Sequence, residues 1–195
     1  RMSVRVAIAS GKGGAGKTTV ATNLARVAAR RGRRPTFLDC DVEDPNGALF
    51  LKPTLAPPTP VNVPVPEVDL AACTHCGVCG EVCQYSAIAP VGDQVLVFPE
   101  LCHGCGGCAM ACPTHAIVER PHRIGVVATG QADGVAFAHG LLDIGQVASP
   151  PVIRAVCAAA LAADLTLIDA PPGASCPLVA SLRGCDYVVL VAEPT

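Results

Sequence analysis

Residues 11–19 read Gly11-Lys12-Gly13-Gly14-Ala15-Gly16-Lys17-Thr18-Thr19. Before them, the apolar alternation of Val4, Val6 and Ile8 predicts a strand. After them, a helix is predicted from about Thr18 to Arg31, stopped by Gly32. Strand, glycine loop, helix is the setting of a phosphate-binding P-loop. Glycines let backbone N–H groups turn inward around a polyphosphate, because a Cβ would block either the turn or the approach. The new helix adds its positive N-terminal end. In such a loop Lys17 reaches the β- and γ-phosphates and the Thr18 hydroxyl meets Mg²⁺. A glycine turn that binds nothing is the competing reading, and the complete pattern in its proper context argues against it. Residues Gly11 to Thr19 are assigned to nucleotide binding.

Lys12 sharpens the assignment, since an ordinary P-loop does not ask for lysine directly after its first glycine. Lys12-Gly13-Gly14-Ala15-Gly16-Lys17-Thr18-Thr19 resembles the deviant Walker A motif of the MinD/ParA/Mrp/nitrogenase-iron-protein ATPases. The resemblance implies an α/β fold, a mainly parallel P-loop NTPase sheet flanked by helices. It also implies ATP and Mg²⁺ as ligands, and an ATP-dependent homodimer in which Lys12 crosses to the partner's phosphates.

Two further segments fit the same family. Pro35-Thr36-Phe37-Leu38-Asp39 reads as a second strand, delivering Asp39-Cys40-Asp41-Val42-Glu43-Asp44-Pro45-Asn46 to the ligand edge of a parallel sheet. By resemblance this is switch I, with Asp41 positioning the attacking water or the Mg²⁺ shell and Asp39 as a supporting carboxylate. An Asx-rich turn after a strand is the plainer alternative. Downstream, Asp164-Leu165-Thr166-Leu167-Ile168-Asp169 is an apolar strand ending in aspartate, followed by Ala170-Pro171-Pro172-Gly173. It resembles the family's Walker B and switch II segment. Asp169 would then hold a Mg²⁺-bound water, and the Gly173 N–H would sense the γ-phosphate. The implied catalytic set is Lys12, Lys17, Asp41 and Asp39.

Tyr187 to Ala192 is predicted as another buried strand, and a helix is predicted from Pro151 to about Ala163. Glu193 and Pro194 complete the implied nucleotide-binding set. In the resembled family more chain follows, so this sequence is expected to be truncated at its C-terminus, and Met2 is expected to be the natural start.

The 195 residues are 51% hydrophobic and carry a formal net charge of -2, enough for a core and no electrostatic case for nucleic acid. Arg30-Arg31-Gly32-Arg33-Arg34 is explained as a solvated helix end. No apolar run reaches transmembrane length and no secretory pattern opens the chain, so a cytoplasmic protein is expected.

Twelve cysteines in such a chain point to metal rather than disulfides. Eight fall in an internal repeat. Cys73, Cys76, Cys79 and Cys83 match Cys102, Cys105, Cys108 and Cys112, both with C-x₂-C-x₂-C-x₃-C spacing. In that spacing the fourth cysteine ligates the other cluster. One [4Fe–4S] cluster is therefore expected on Cys73, Cys76, Cys79 and Cys112, and a second on Cys102, Cys105, Cys108 and Cys83. Zinc is the competing metal, but its sites take two separated pairs, not two runs of four. The stretch closely resembles the bacterial two-[4Fe–4S] ferredoxin domain, with Gln84 where that pattern has proline. So short a unit with few large apolar residues would depend on its clusters to fold. His75, His103 and His115 are read as surface or supporting residues.

Of the remaining cysteines, Cys40, Cys157 and Cys185 read as packing residues without partners. Cys176 stands seven residues after Asp169, the spacing at which the nitrogenase iron protein ligates a shared cluster. With Val147 and Ser149 where a second ligand would be needed, a buried or inert thiol is expected there.

The prolines from Pro53 to Pro66 predict an extended connection into an insert. Gly130-Gln131-Ala132-Asp133-Gly134 predicts a hairpin that re-enters the ATPase body. The expected organisation is 1–59 and 121–195 as the ATPase domain, with 60–120 as an inserted α+β ferredoxin-like domain holding two clusters. The function read from the sequence is an ATPase coupling nucleotide state to electron transfer with a redox partner protein. The alternatives are an iron–sulfur carrier or assembly ATPase, and a MinD-like positioning or regulatory ATPase with redox-sensing clusters.

Overall fold

The computed structural model describes residues 3–159 and 163–193. In chain order the elements are β1 (Val4–Ala9), α1 (Lys17–Arg30), β2 (Pro35–Asp39), α2 (Gly47–Leu51), β3 (Thr54–Leu55), β4 (Thr59–Val68), α3 (Val78–Val82), β5 (Ile88–Val91) and β6 (Gln94–Val97). Then come α4 (Gly107–Ala111), β7 (Ile117–Ala132), β8 (Val135–Leu142), α5 (Pro150–Ala158), β9 (Leu165–Asp169), α6 (Cys176–Leu182) and β10 (Tyr187–Leu190). They form two compact units, one of Arg1–Val61, Gly125–Leu142 and Ser149–Thr195, the other of Asn62–Ile124 and Asp143–Ala148.

In the first unit the strand order is β10-β1-β9-β2-β8-β7-β3, parallel from β10 to β8 and antiparallel beyond it. The fold is thus α/β with a mostly parallel sheet. Every residue of β2 is buried, as a central strand covered on both faces requires. On the α1 face, Phe37 and Phe137 stack with centroids 5.7 Å apart, beside Ile8 and Leu167. The small Ala21 and Ala25 let α1 lie close on these rings. On the opposite face α5 buries Val152, Ile153 and Val156. Each fully buried aliphatic or aromatic side chain contributes about 1.5–3 kcal/mol.

The β7–β8 hairpin closes through Asp133 (φ 45°) and Gly134 (φ 81°), with Ala132 opposite Val135. Two consecutive positive φ values suit an Asp-Gly pair and match the right-handed twist of the flanking strands.

Three sequence expectations differ from the structure. The proline-rich stretch forms β3 and β4 rather than an unpaired connection, because prolines are tolerated where a strand has an unpaired side. Helix α5 begins at Pro150 and ends at Ala158, short of Ala163. Strand β10 is exposed along its length, not buried, since among the described residues β1 is its one neighbour.

In the second unit β4 pairs with β7, and the Asp69 N–H donates to Ala116 C=O at 2.8 Å. The β5–β6 hairpin and the one-turn helices α3 and α4 complete it. One buried cluster there joins Ile88, Cys112, Ala116 and Ile117, with Val68, Val95 and Val97 packed alongside, and Val63, Val65, Ala87 and Ile124 are also buried. Among the described residues no helix is long and apolar enough to cross a membrane.

Candidate functional site

In the first unit the site forms where the parallel strands end. The loop after β1 turns into α1 through Gly14 (φ 78°) and Gly16 (φ 90°), left-handed conformations that glycine adopts at no steric cost. Gly11, Gly13 and Gly14 are exposed, and a Cβ built on Gly13 would meet no described atom within 4 Å. Ala15 and Gly16 are half-buried, Thr18 is half-buried and Thr19 exposed at the start of α1. Lys17 is buried, whereas Lys12 is exposed, with its carbonyl accepting the Ser10 hydroxyl at 2.6 Å.

Asp169 ends β9 with its carboxyl 1% exposed, and neither oxygen has a hydrogen-bond partner among the described residues. Burial pushes its pKa up to about 6, against the pull of Lys17 and of a Thr18 hydroxyl that lies near without closing a hydrogen bond. An orphaned buried carboxylate beside a threonine hydroxyl is a fit site for a hard cation such as Mg²⁺. Asp41 is partly buried; burial raises its pKa, Lys17 draws it down, and Asp44 and Glu43 push it up.

Asp39 is fully buried, and backbone holds both its oxygens. The Gly47 N–H donates at 2.7 Å and the Asp41 N–H at 3.3 Å. Burial, then the Asp169 charge, pushes its pKa up to about 7. So placed, Asp39 ties down both ends of the 41–47 segment through its backbone. Gly47 was not legible as its anchor: a Cβ there would fall 2.5 Å from the Phe37 ring and 2.8 Å from Asp39 Oδ2. His139 was also missed. It stands beside Asp39 in the β2–β8 register, and burial lowers its pKa.

The Gly173 N–H donates to Ser10 C=O at 3.1 Å, so in this state it is engaged by the P-loop itself. Cys40, Asp41, Glu43, Pro171, Pro172 and Ser175 line a cavity between the two segments. Glu193 is exposed after β10, and Pro194 lies outside the described residues, as does Met2.

In the second unit the two cysteine runs share one backbone conformation. Positive φ recurs at equivalent positions: His75 and Gly104, Gly77 and Gly106, Ser86 and His115. The N–H groups of His75 and Gly104 donate to Sγ of Cys73 and Cys102, both at 3.4 Å. Those of Ala87 and Ala116 donate to Sγ of Cys83 and Cys112, both at 3.3 Å. Burial pushes the Cys83 and Cys112 thiols up, but the N–H groups around each, with the Thr114 hydroxyl at Cys112, outweigh it and hold both below the usual range.

Cys73, Cys76, Cys79 and Cys112 line one pocket. Cys83, Cys102, Cys105 and Cys108 line another. Among the described residues no three His, Cys, Asp or Glu side chains converge as a single metal ion needs. A polynuclear cluster holds its thiolates at the corners of a larger body, and the pockets with their N–H···S donors suit that group. His75 lines the first pocket; His103 lines the second and stacks on Tyr85 with centroids 3.6 Å apart.

Two further readings are corrected. Cys176 is exposed, not buried, at the start of α6. Cys40 and Cys157 are not without partners, since their sulfurs lie 3.8 Å apart.

The family described as the CobQ/CobB/MinD/ParA nucleotide binding domain matches residues 6–152. An uncharacterized protein of Methanocaldococcus jannaschii is 33% identical over 98% of this chain and 68% of its own length. A Pseudomonas fragi protein named as an iron-sulfur cluster carrier is 54% identical over 46 residues, 23% of this chain and 16% of its own. The solved septum site-determining protein MinD of Pyrococcus horikoshii, complexed with Mg-ADP, shares the fold at TM-score 0.52 and 19% identity. That alignment covers 100% of this chain and 59% of the MinD chain, so the present chain spans about three-fifths of that protein.

Proposed function

Because the chain belongs to the CobQ/CobB/MinD/ParA nucleotide-binding family, we propose that it is an ATPase whose nucleotide state is coupled to electron transfer through two [4Fe–4S] clusters. The observation that carries the iron–sulfur half is the pair of pockets, each lined by three cysteines of one run and the fourth of the other. Cys73, Cys76, Cys79 and Cys112 would hold one cluster, and Cys102, Cys105, Cys108 and Cys83 the second. When bound, the clusters supply one-electron carriers. The N–H groups on Cys73, Cys102, Cys83 and Cys112 favour the thiolate form that ligation requires.

In the first unit, Gly11 to Gly16 present backbone N–H groups to the phosphates of ATP, and buried Lys17 neutralises charge there. Thr18 and Asp169 would hold Mg²⁺. Asp41 orients the attacking water, and Asp39 fixes Asp41 through its backbone N–H. The Ser10 carbonyl releases the Gly173 N–H to a γ-phosphate, tying the 170–175 segment to the nucleotide. Exposed Lys12 is free to reach the phosphates of a second copy, which makes the active form an ATP-dependent homodimer. A separate redox protein exchanges electrons with the cysteine unit.

The short identity with iron-sulfur cluster carriers favours a second reading, in which the ATPase loads or delivers clusters. One experiment separates the two. Both cluster potentials are measured on anaerobically purified full-length protein, with and without Mg·ATP. Nucleotide and electron binding are linked reciprocally. A shift of roughly 30 mV or more supports coupling, as that equals about 0.7 kcal/mol for a one-electron couple. Unchanged potentials, with cluster transfer to an apo-acceptor protein, would favour the carrier.

A further inference from the structure

Cys40 and Cys157 are separated by 117 positions in sequence, yet their sulfurs meet at 3.8 Å. Cys40 follows β2 directly, between Asp39 and Asp41, and its side chain is fully buried on the α5 face of the sheet. Its own N–H donates to Asp169 C=O at 2.9 Å. Cys157 is half-buried on the last turn of α5. The dithiol therefore joins α5 to the residue whose neighbours on both sides are the acidic groups of the nucleotide site.

We infer that Cys40 and Cys157 form a redox-active dithiol site, closed to a disulfide by a low-molecular-weight disulfide and governing the position of Asp41. The two sulfurs differ in character. Cys157 is held below the ordinary thiol range by its hydrogen bond with Cys40 and, against burial, by the Arg5 guanidinium. Cys40 is fully buried, so the half-buried Cys157 is the sulfur that a small disulfide reaches. Cys157 is thus the attacking thiolate.

The exchange balances in two steps. Cys157 Sγ attacks one sulfur of the small disulfide R–S–S–R, forming a mixed disulfide and expelling RS⁻. Cys40 Sγ then attacks Cys157 Sγ, forming the Cys40–Cys157 bond and expelling the second RS⁻. The two thiol protons leave with the expelled thiolates as two RSH. The protein dithiol has lost two electrons and the small disulfide has gained them. Closure shortens the sulfur separation from 3.8 Å to about 2.05 Å, drawing Cys40 toward α5 and moving Asp41 and the Asp169 bond with it. A displacement of that order at a positioned group lowers turnover by roughly a hundredfold. The effect on turnover rests on the ATPase reading, whereas the cross-link does not.

The test uses the anaerobically purified full chain, equilibrated in buffers of oxidised and reduced glutathione, quenched in acid and alkylated. Peptide mass spectrometry locates the disulfide while ATP hydrolysis is measured in parallel. The expected result is one cross-linked peptide pair containing Cys40 and Cys157, two hydrogens lighter than the reduced pair. Hydrolysis falls roughly ten- to a hundredfold and returns with dithiothreitol. Cys157→Ala keeps its activity in oxidised buffer, and Cys157→Ser serves if the alanine variant folds poorly. No cross-link, or one between Cys157 and the nearby Cys185, overturns the site. A Cys40–Cys157 cross-link with unchanged hydrolysis overturns its control of Asp41, as does inhibition that persists in both Cys157 variants. A cross-link in a chain that hydrolyses no ATP even when reduced leaves the dithiol standing and removes the ATPase reading.

Discussion

Asp39 and Asp169 stand opposite one another in the β2–β9 register, both carboxyls buried at the ends of adjacent parallel strands. Burial raises both, and the Asp169 charge raises Asp39 further, so neither has its ordinary acidity. One is anchored by backbone N–H groups and the other is not. That asymmetry separates a positioning carboxylate from one fit to hold a cation.

The pair makes stability depend on pH with a definite sign. Unfolded, both carboxyls titrate near the ordinary value of 3.8; folded, they titrate at about 7 and about 6. Between these limits the folded state binds more protons, so the pair's contribution to stability falls as pH rises from about 4 to about 7. Thermal unfolding of the unliganded protein should show this loss across the same window. Asp169→Asn should flatten the profile, and an unchanged slope in that variant would refute the assignment. Mg·ATP should recover stability above the folded pKa values, where both groups are charged.

Lys17 and Lys12 should fail differently. Lys17→Ala removes the buried cation next to Asp169 and Asp41, and nucleotide affinity and hydrolysis should both fall roughly 10²- to 10³-fold. Lys12→Ala removes an exposed side chain and should leave Mg·ATP binding to the single chain intact while abolishing ATP-dependent dimerisation. Calorimetry read beside sedimentation velocity separates the two, and equal binding losses would argue against the trans role.

Two glycines test packing against function. Gly47→Ala sets a Cβ 2.5 Å from the Phe37 ring and should destabilise the protein by about 1–3 kcal/mol. Gly13→Ala meets no described atom and should melt like the parent chain while losing nucleotide affinity. If Gly13→Ala binds nucleotide normally, the loop is not the phosphate cradle.

The crossed cysteine sets predict which cluster each substitution removes. Cys112→Ser should empty the pocket of Cys73, Cys76 and Cys79, and Cys83→Ser that of Cys102, Cys105 and Cys108. Each should cut iron from about eight to about four per chain, with different electron paramagnetic resonance signals remaining. Loss of both clusters on chelation should unfold the 62–124 segment, whose buried side chains are mostly small and include cluster cysteines.

What could be read in advance was whatever depends on neighbours in sequence. The strand–loop–helix around Lys17, the strand ending at Asp169 and the Asp133-Gly134 turn are short-range patterns fixed by backbone geometry. The stretch from Pro53 to Pro66 misled because proline forbids a central strand but not one with an unpaired side, and pairing is a long-range fact. Tyr187 to Leu190 misled because apolar content cannot tell a flanked strand from one with a single neighbour. The Gly47 anchor and the Cys40–Cys157 contact left no local signal, since each exists only once α2 or α5 packs against the sheet.

The two cysteine pockets carry a consequence for descent. A pocket with three walls from one repeat and a fourth from the other is never present in a single copy of that repeat. An ancestral half-unit would have had to pair with its twin before it held anything. On the two-cluster reading, deleting or replacing either half would cost both clusters a ligand. The repeat is bound to be inherited as a couple.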